Sequence, residues 1–335
     1  MEDIYFDLKY GQLYEKIENG KACLWEYKGE EGYIKHLFIK RPVPYLVEGV
    51  QYYDLVTPYG YGGPHIVNIS KNYTKEMLIN AFKKMFKKYC EEERVVSEFV
   101  RFYPLSSNGV DFKSIYDSSI NRYTLATNLK DYEDPIQMEF SKSCRKTIRQ
   151  VMKKGITYRA TRNPQDIEKF IDIYYLNMQR KNADNYYFFE KDYFNKIIEY
   201  FGENILLAEA IYCEKTVAVG LYFLSNNVIH AHLSGTDTDY LHLSPAYILK
   251  YGTAMWGKEN QFEFIHYGGG TTSSKDDPLF VFKKKFSQNT EFPFYVGKKV
   301  WNKNVYDILC QKANITEQSD FFPLYRLKKD ENKSK

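Results

Sequence analysis

Between Ile205 and Leu233 the chain passes through three apolar, strand-like runs, Ile205 to Tyr212, Thr216 to Leu224 and Val228 to Leu233. The turns between them carry only Glu-Lys and Asn-Asn at their tips. Connections that short join neighbouring antiparallel strands and no other pairing, so this region predicts an antiparallel sheet. The loop SGTDTDYLHL follows, and then Ser244 and Pro245, which suit the N-cap and first position of a helix. That helix, AYILKYGTAMWG, is apolar almost all round and is expected to be buried. A strand from Phe262 to Tyr267 closes the series and ends in three glycines.

The first half has the same order. Strand-like runs Ala22 to Tyr27 and Tyr33 to Ile39 flank a KGEEG turn, and the Gly/Pro/Tyr-rich stretch Tyr53 to Pro64 reads as a loop. A helix begins near Thr74, with Leu78, Ala81, Phe82, Met85, Phe86 and Tyr89 at helical spacing and Lys83, Lys84, Lys87 and Lys88 opposite. A strand, Ser97 to Leu105, comes next. Between the halves lie a basic helix, Lys142 to Lys154, with Ile148, Val151 and Met152 as its apolar side, and a helix capped by Asn163 and Pro164. The stripe of the latter is Ile167, Phe170, Ile171, Tyr174, Tyr175 and Met178; a third helix covers Lys191 to Phe201. FVRFYPL in the first half thus occupies the place of FIHYGGG in the second. A pattern used twice in 335 residues predicts an α+β protein of two lobes packed side by side, each a mixed, largely antiparallel sheet with flanking helices. The charged stretch Asn128 to Lys142 suggests a division into residues 1–135 and 136–335.

Composition narrows the function. An apolar fraction of 44% supports a packed core and excludes wholesale disorder. The formal charge of +4 is small for a chain that lives on nucleic-acid phosphates, leaving only local basic patches for such a partner. No apolar run approaches the ~18 residues of a membrane span. MEDIYFDLKY has neither the basic nor the apolar region of a secretory signal, so the expectation is a soluble protein that stays in the cytoplasm. Five scattered cysteines without a CxxC pair argue against a disulfide framework or a cysteine zinc site. His230 and His232 alternate on a strand without a carboxylate pattern, so no metal centre is expected. Aromatic residues reach 17%, with 32 Tyr and 23 Phe, which fits either core packing or a cleft that stacks on sugars or bases.

Three places can carry chemistry. In HYGGGTTSSKDDPLFVFKKKFS, from His266 to Ser287, the glycines Gly268, Gly269 and Gly270 free the backbone for close approach to a ligand. Phe282 and Lys283 follow within FKKKF, where a lysine between aromatics can set a positive charge near a phosphate or a developing oxyanion. A solvated lysine run is the plain alternative. The helix start at Ser244 attracts anions, with Ser234 and Asp237 on its rim, although two aspartates there also fit a simple capping loop. In PYGYGGP, Tyr59 and Tyr61 offer stacking faces and Gly62 an irregular backbone beside Arg101 and Tyr103. The Arg101 guanidinium suits a carboxylate or phosphate, or pairs with Glu98 or Asp54.

In this order RKTIRQVMKKG, the Tyr174–Tyr187 helix and loop, HLSGTDTDYLHLSPAY, YGGG and LFVFKKKFS resemble the C-terminal half of the Fem-type aminoacyltransferases, within the GNAT-like acyltransferase superfamily. The resemblance is clearest from about Arg145 to Phe286; PYGYGGP and EFVRFYPL extend it more loosely to the first half. It implies two GNAT-like lobes and acyl transfer to an amine. The donor is aminoacyl-tRNA and the acceptor a muropeptide precursor of the cell wall in the Fem branch. Related branches use acyl-CoA with an amino sugar or amino acid; either donor is a co-substrate, with no tightly bound cofactor. The resemblance puts the donor on the C-terminal lobe, with Phe282 and Lys283 at its reacting end and Ser234, Asp237, Ser244, Gly268, Gly269 and Gly270 around it. The acceptor falls on the N-terminal lobe, with Arg41 or Lys40 for its phosphates and Tyr59, Tyr61, Gly62, Arg101 and Tyr103 beside it. Lys283 is expected to stabilise the oxyanion, and His266 and Asp237 are candidate general bases. Two features depart from the family: DYLHLSPA lacks the glycines of the coenzyme A loop, and no heptads provide a coiled-coil arm. A tRNA-dependent enzyme would draw phosphate contacts from Lys142–Lys154 and Lys283–Lys303. A non-catalytic carbohydrate- or nucleic-acid-binding protein is the third reading.

Overall fold

The computed structural model describes residues 3–181, 185–315 and 319–327. The chain forms two units: Tyr5–Asn121 with the chain from Phe294 onward, and Arg122–Pro293 with the residues up to Ile4. This corrects the expected division after residue 135. Val305, Tyr306, Leu309 and Tyr325, from the C-terminal stretch, share one buried cluster with Val43, Val47 and Val96.

In the first unit α1 (Leu8–Gln12) and α2 (Glu15–Glu18) precede β1 (Lys21–Gly29), β2 (Gly32–Pro42), β3 (Tyr53–Val56) and β4 (Gly63–Ile69). Then come α3 (Lys75–Glu92), β5 (Val95–Arg101) and α4 (Asn108–Asp111). The β1–β2 hairpin is antiparallel, and β2 also pairs antiparallel with β3 and β4. β3 runs parallel to β5, with α3 as the crossover. The stretch expected as a loop, Tyr53 to Pro64, therefore holds β3 and the start of β4. Four residues, Tyr53–Val56, are too few to show a strand period. Thr74 caps α3 by accepting from the Met77 N–H. Its buried stripe is Leu78, Ile79, Phe82, Phe86 and Cys90. Burial follows the i, i+4 row, so Met85 lies outside it and is exposed.

The second unit takes β6 (Asp117–Asn128) from Arg122 on, then α5 (Pro135–Glu139), α6 (Lys142–Lys153), β7 (Thr157–Arg162), α7 (Glu168–Arg180) and α8 (Lys191–Phe201). β8 (Ile205–Tyr212), β9 (Lys215–Ser225), β10 (Val228–Thr236), α9 (Pro245–Glu259), β11 (Phe264–Gly268) and α10 (Pro278–Lys284) follow. Its strand order is β7-β8-β9-β10-β11-β6. Every pair is antiparallel except β10–β11, which runs parallel across α9. The tight turns place Cys213, Glu214, Asn226 and Asn227 at left-handed φ, the primed geometry that matches strand twist. Ile248, Leu249 and Ala254 of α9 pack into one core with Leu206, Val217, Ile229 and Ile265. In α6 the buried residues are Cys144, Ile148 and Val151, while Met152 is exposed. α7 starts at Glu168 rather than after Asn163. Asn163 sits at φ 53° in the turn after β7, and its amide donates to Glu203 Oε1 at 2.7 Å.

β12 (Glu291–Val300) and α11 (Lys303–Lys312) follow, and β12 pairs antiparallel with β5 in the first unit. Each unit thus contains a parallel strand pair wrapped around one helix, β3–α3–β5 and β10–α9–β11. Among the described residues no helix is long and apolar enough to cross a membrane.

Candidate active site

β11 ends in a register shift between His266 and Gly268, and Gly268 turns the chain at φ +71°, a conformation side chains rarely adopt. The loop beyond is tied to the start of α10. Asp277, the α10 N-cap, accepts from the Phe280 N–H at 2.9 Å with one oxygen. With the other it accepts from the Thr271 and Thr272 N–H groups at 3.1 and 2.9 Å. A Cβ on Gly270 would lie 2.5 Å from Asp277 Oδ1, so this approach needs glycine. Those hydrogen bonds hold the Asp277 carboxyl well below the usual carboxylate range, the Phe280 N–H contributing most. From β6, Arg122 Nη1 donates to the Gly270 and Thr271 carbonyls at 2.8 and 3.1 Å.

Lys283 projects from the last turn of α10, and its Nζ donates to the Gly269 carbonyl at 2.6 Å. The side chain is half-buried. Desolvation, followed by the charge of Lys250, lowers its ammonium to about 7, and the nearby Asp277 charge opposes this. The Phe282 ring stands edge-to-face with Tyr247 at 5.6 Å and Phe286 at 5.3 Å. His266 is buried on β11, 5.9 Å from the His230 ring, and burial holds its imidazole well below its ordinary value. A base that deeply buried is confined to a neutral, orienting part.

The remaining donor-side residues are spread along the unit. Ser234, on β10, is exposed, and its carbonyl accepts from Asn177 at 3.4 Å. Asp237 caps the short 3-10 segment Thr238–Leu243 by accepting from the Asp239 N–H. Ser244 precedes α9 in a left-handed conformation and makes no side-chain cap, which corrects its expected role. The 3-10 segment Thr238–Leu243 carries no glycine.

In the first unit the expected acceptor residues do gather. The Tyr59 carbonyl accepts from the Tyr10 hydroxyl at 2.6 Å, and Gly62 N–H donates to the Arg101 carbonyl at 2.8 Å. Tyr61 stands edge-to-face to Tyr5 at 5.3 Å, with Tyr103 tilted against Tyr5 at 5.9 Å. Arg101 Nη1 is committed to the Thr57 carbonyl at 2.8 Å rather than to a carboxylate. Arg41 lies outside this group. Its Nε and Nη1 bind Asp54 Oδ1 at 2.8 Å and Glu18 Oε2 at 2.7 Å, a buried-side ion-pair network that Arg326 joins through Asp54. Arg41 is therefore corrected to a structural residue, and Lys40 pairs with Glu93.

Sequence reading missed Asp277, Arg122 and Lys250. Asp277-Pro278 repeats the cap-plus-proline signal read at Ser244, and a lysine inside the otherwise apolar α9 is itself a signal; Arg122 had none. Among the described residues no group of three or more His, Cys, Asp or Glu side chains could hold a metal ion.

The parallel pair β10 and β11, wrapped around the buried α9, thus ends in a sharp bend at Gly268. Residues 139–277 match the family described as acetyltransferase (GNAT) domain. The fold as a whole is shared with FemX, at a TM-score of 0.66 and 13% identity over 91% of this chain and 94% of that one. It is also similar to the C-terminal domain of a putative lysylphosphatidylglycerol synthetase from Agrobacterium fabrum, at 0.55 and 14% over 93% and 92%. L-PGS from Bacillus licheniformis gives 0.55 and 13% over 89% and 93%. The Fem-type, GNAT-like fold expected from the sequence is the fold found. No curated protein matches the sequence.

Proposed function

We propose that the protein is a cytoplasmic N-acyltransferase that moves an acyl or aminoacyl group from an activated ester or thioester to the amine of a cell-envelope precursor or amino sugar. The observation that carries this reading is the Lys283 amine, fixed on the Gly269 carbonyl at the end of β11 and titrating near neutrality. Aminolysis requires the attacking amine to lose a proton while the carbonyl oxygen gains negative charge. Neutral Lys283 accepts that proton as the C–N bond forms. The resulting ammonium faces the oxyanion, then returns the proton to the departing oxygen or sulfur as its bond to the acyl carbon breaks. Gly268 to Gly270 shape the donor's reacting end, and the Tyr59–Gly62 loop with Arg101 and Tyr103 receives the acceptor.

Intact-mass measurement of amine acceptors incubated with acyl-CoA or aminoacyl-tRNA tests this. A donor-dependent acyl mass is expected with the native protein, reduced at least about 100-fold in Lys283→Ala while the melting profile persists. No adduct with any donor class removes the reading. Aminoacyl-tRNA is the favoured donor, because the segment before α9 lacks a pyrophosphate-binding turn and α6 exposes Lys146, Arg149 and Lys153. The likeness to lysylphosphatidylglycerol synthetase, named for an aminoacylated product, supports the same choice. Binding of charged tRNA that weakens steeply with salt is the expected result.

A further inference from the structure

Lys250 lies in the middle of α9, is only 8% exposed, and has no part in the chemistry described so far. Among the described residues no carboxylate or hydrogen-bond acceptor meets its Nζ, whose neighbours are two ring faces. The ring centroid of Tyr267, on β11, lies 4.6 Å away and that of Tyr222, on β9, 5.5 Å away. A ring face attracts an ammonium but does not accept its N–H protons as an oxygen does. The Tyr267 hydroxyl is committed to Thr127 Oγ1 at 2.7 Å. The Tyr222 hydroxyl is buried too and has no hydrogen-bond partner among the described residues; the Thr253 hydroxyl beside it donates instead to the Leu249 carbonyl at 2.9 Å. The Tyr222 ring leans over Gly220, where a Cβ would lie 3.0 Å from the phenol oxygen, so the room around that oxygen depends on glycine. Ala231, paired with Tyr222 across β9 and β10, adds only a methyl group to the same core.

We propose that Lys250 and Tyr222 form a binding site for one carboxylate, carried at the far end of the acyl group that the protein transfers. The second half of this statement rests on the acyl-transfer reading; the first does not. Two donors, an ammonium and the phenol of a ring beside it, are buried and unspent. A buried donor without an acceptor has lost its water and gained nothing, a cost that methionine and phenylalanine at these positions would avoid. A carboxylate brings two oxygens, one for each donor. Charge selects it over phosphate. Desolvation lowers Lys250 to about 8, which leaves it mostly charged at pH 7. One cation in an apolar core neutralises one negative charge, whereas a phosphate dianion would leave a second charge buried and unpaired. Position gives the carboxylate its place in the substrate. Tyr267 immediately precedes the Gly268 bend, and Lys283 holds the Gly269 carbonyl there, so the pocket adjoins the proposed reacting end of the donor. A succinyl thioester or an aspartyl or glutamyl ester carries both groups on one short chain.

The test is thermal melting of the intact protein at pH 7 and constant ionic strength, with monomethyl succinate, dimethyl succinate, sodium phosphate or sodium chloride added. Only monomethyl succinate is expected to raise the melting temperature; its dimethyl ester differs by one methyl group and the charge. Tyr222→Phe is expected to need about tenfold more of it for the same rise, and Lys250→Met to show no rise. Tyr222→Phe, which loses a single oxygen, carries the test if the charge variant does not fold. An equal rise with the dimethyl ester, chloride or phosphate, no rise with any of them, or native responses in both variants overturns the proposal. A second arm reads transfer to an amine by intact mass, with succinyl-CoA against acetyl-CoA and aspartyl-tRNA against alanyl-tRNA. The carboxylate-bearing group is expected to be favoured at least about tenfold in the native protein and not in Lys250→Met. A melting response without any acyl transfer upholds the site and overturns its assignment to an acyl group.

Discussion

A lysine removed from water holds its proton weakly, and both Lys283 and Lys250 follow that rule. If the neutral form of Lys283 takes the acceptor's proton, kcat/KM rises with pH through an apparent pKa of about 7. A rate flat across this range, measured with an acceptor whose own amine titrates elsewhere, would dismiss Lys283 as base. Stability carries the opposite imprint for Lys250. Its folded value, about 8, lies below its ordinary 10.5, so the cost of burying the ammonium is full below pH 8 and vanishes as pH approaches 10.5. Lys250→Met is therefore expected to unfold at higher denaturant at pH 7, by about 3 kcal/mol, with the gain shrinking toward pH 10. Chemical denaturation at both pH values checks it.

At the scale of elements, the bend after β11 depends on α10 as much as on its glycines. Asp277 ties the Thr271 and Thr272 N–H groups to the first turn of the helix. Asp277→Ala is expected to speed amide exchange at Thr271, Thr272 and Phe280 and to reduce turnover by loosening the Gly269 carbonyl that seats Lys283. Native protection at those amides in the variant would show that the loop holds itself. Because the carboxyl is held below its ordinary 3.8, its contribution is present above that pH and is lost as pH falls further. Elements with local codes were legible in the sequence. The β8–β9–β10 hairpins, α8 and the buried α9 follow from apolar period and turn residues. Where a residue's part depends on a distant neighbour, the code was silent. Arg41 reads as an anion ligand until Asp54 and Glu18 arrive from other elements, and Asn163 reads as a helix cap until its amide meets Glu203.

For the whole molecule, the repeated order of strands, loop, helix and strand was visible as pattern, while the parallel pairing of β3 with β5 and the division into units were not. Nothing in the charged stretch near residue 135 reveals that Val305, Tyr306, Leu309 and Tyr325 complete the core around Val43 and Val96. Residues 122–293, which carry their own sheet and α9, are expected to unfold cooperatively as a fragment. Residues 1–135 lack β12 and α11 and are expected to show no sharp transition. Circular dichroism of the two fragments decides between this division and the sequential one; a cooperative melt of 1–135 would refute it.

That interleaving also sets a timetable. As the polypeptide leaves the ribosome, the first hundred or so residues emerge with a sheet whose last partner strand has not been synthesised, and they must wait while the intervening unit is made and collapses. Tyr5 through Asn121 then wait for their partner strand until Arg122–Pro293 have been made. A truncation that removes β12 and α11 would therefore harm the portion translated before them.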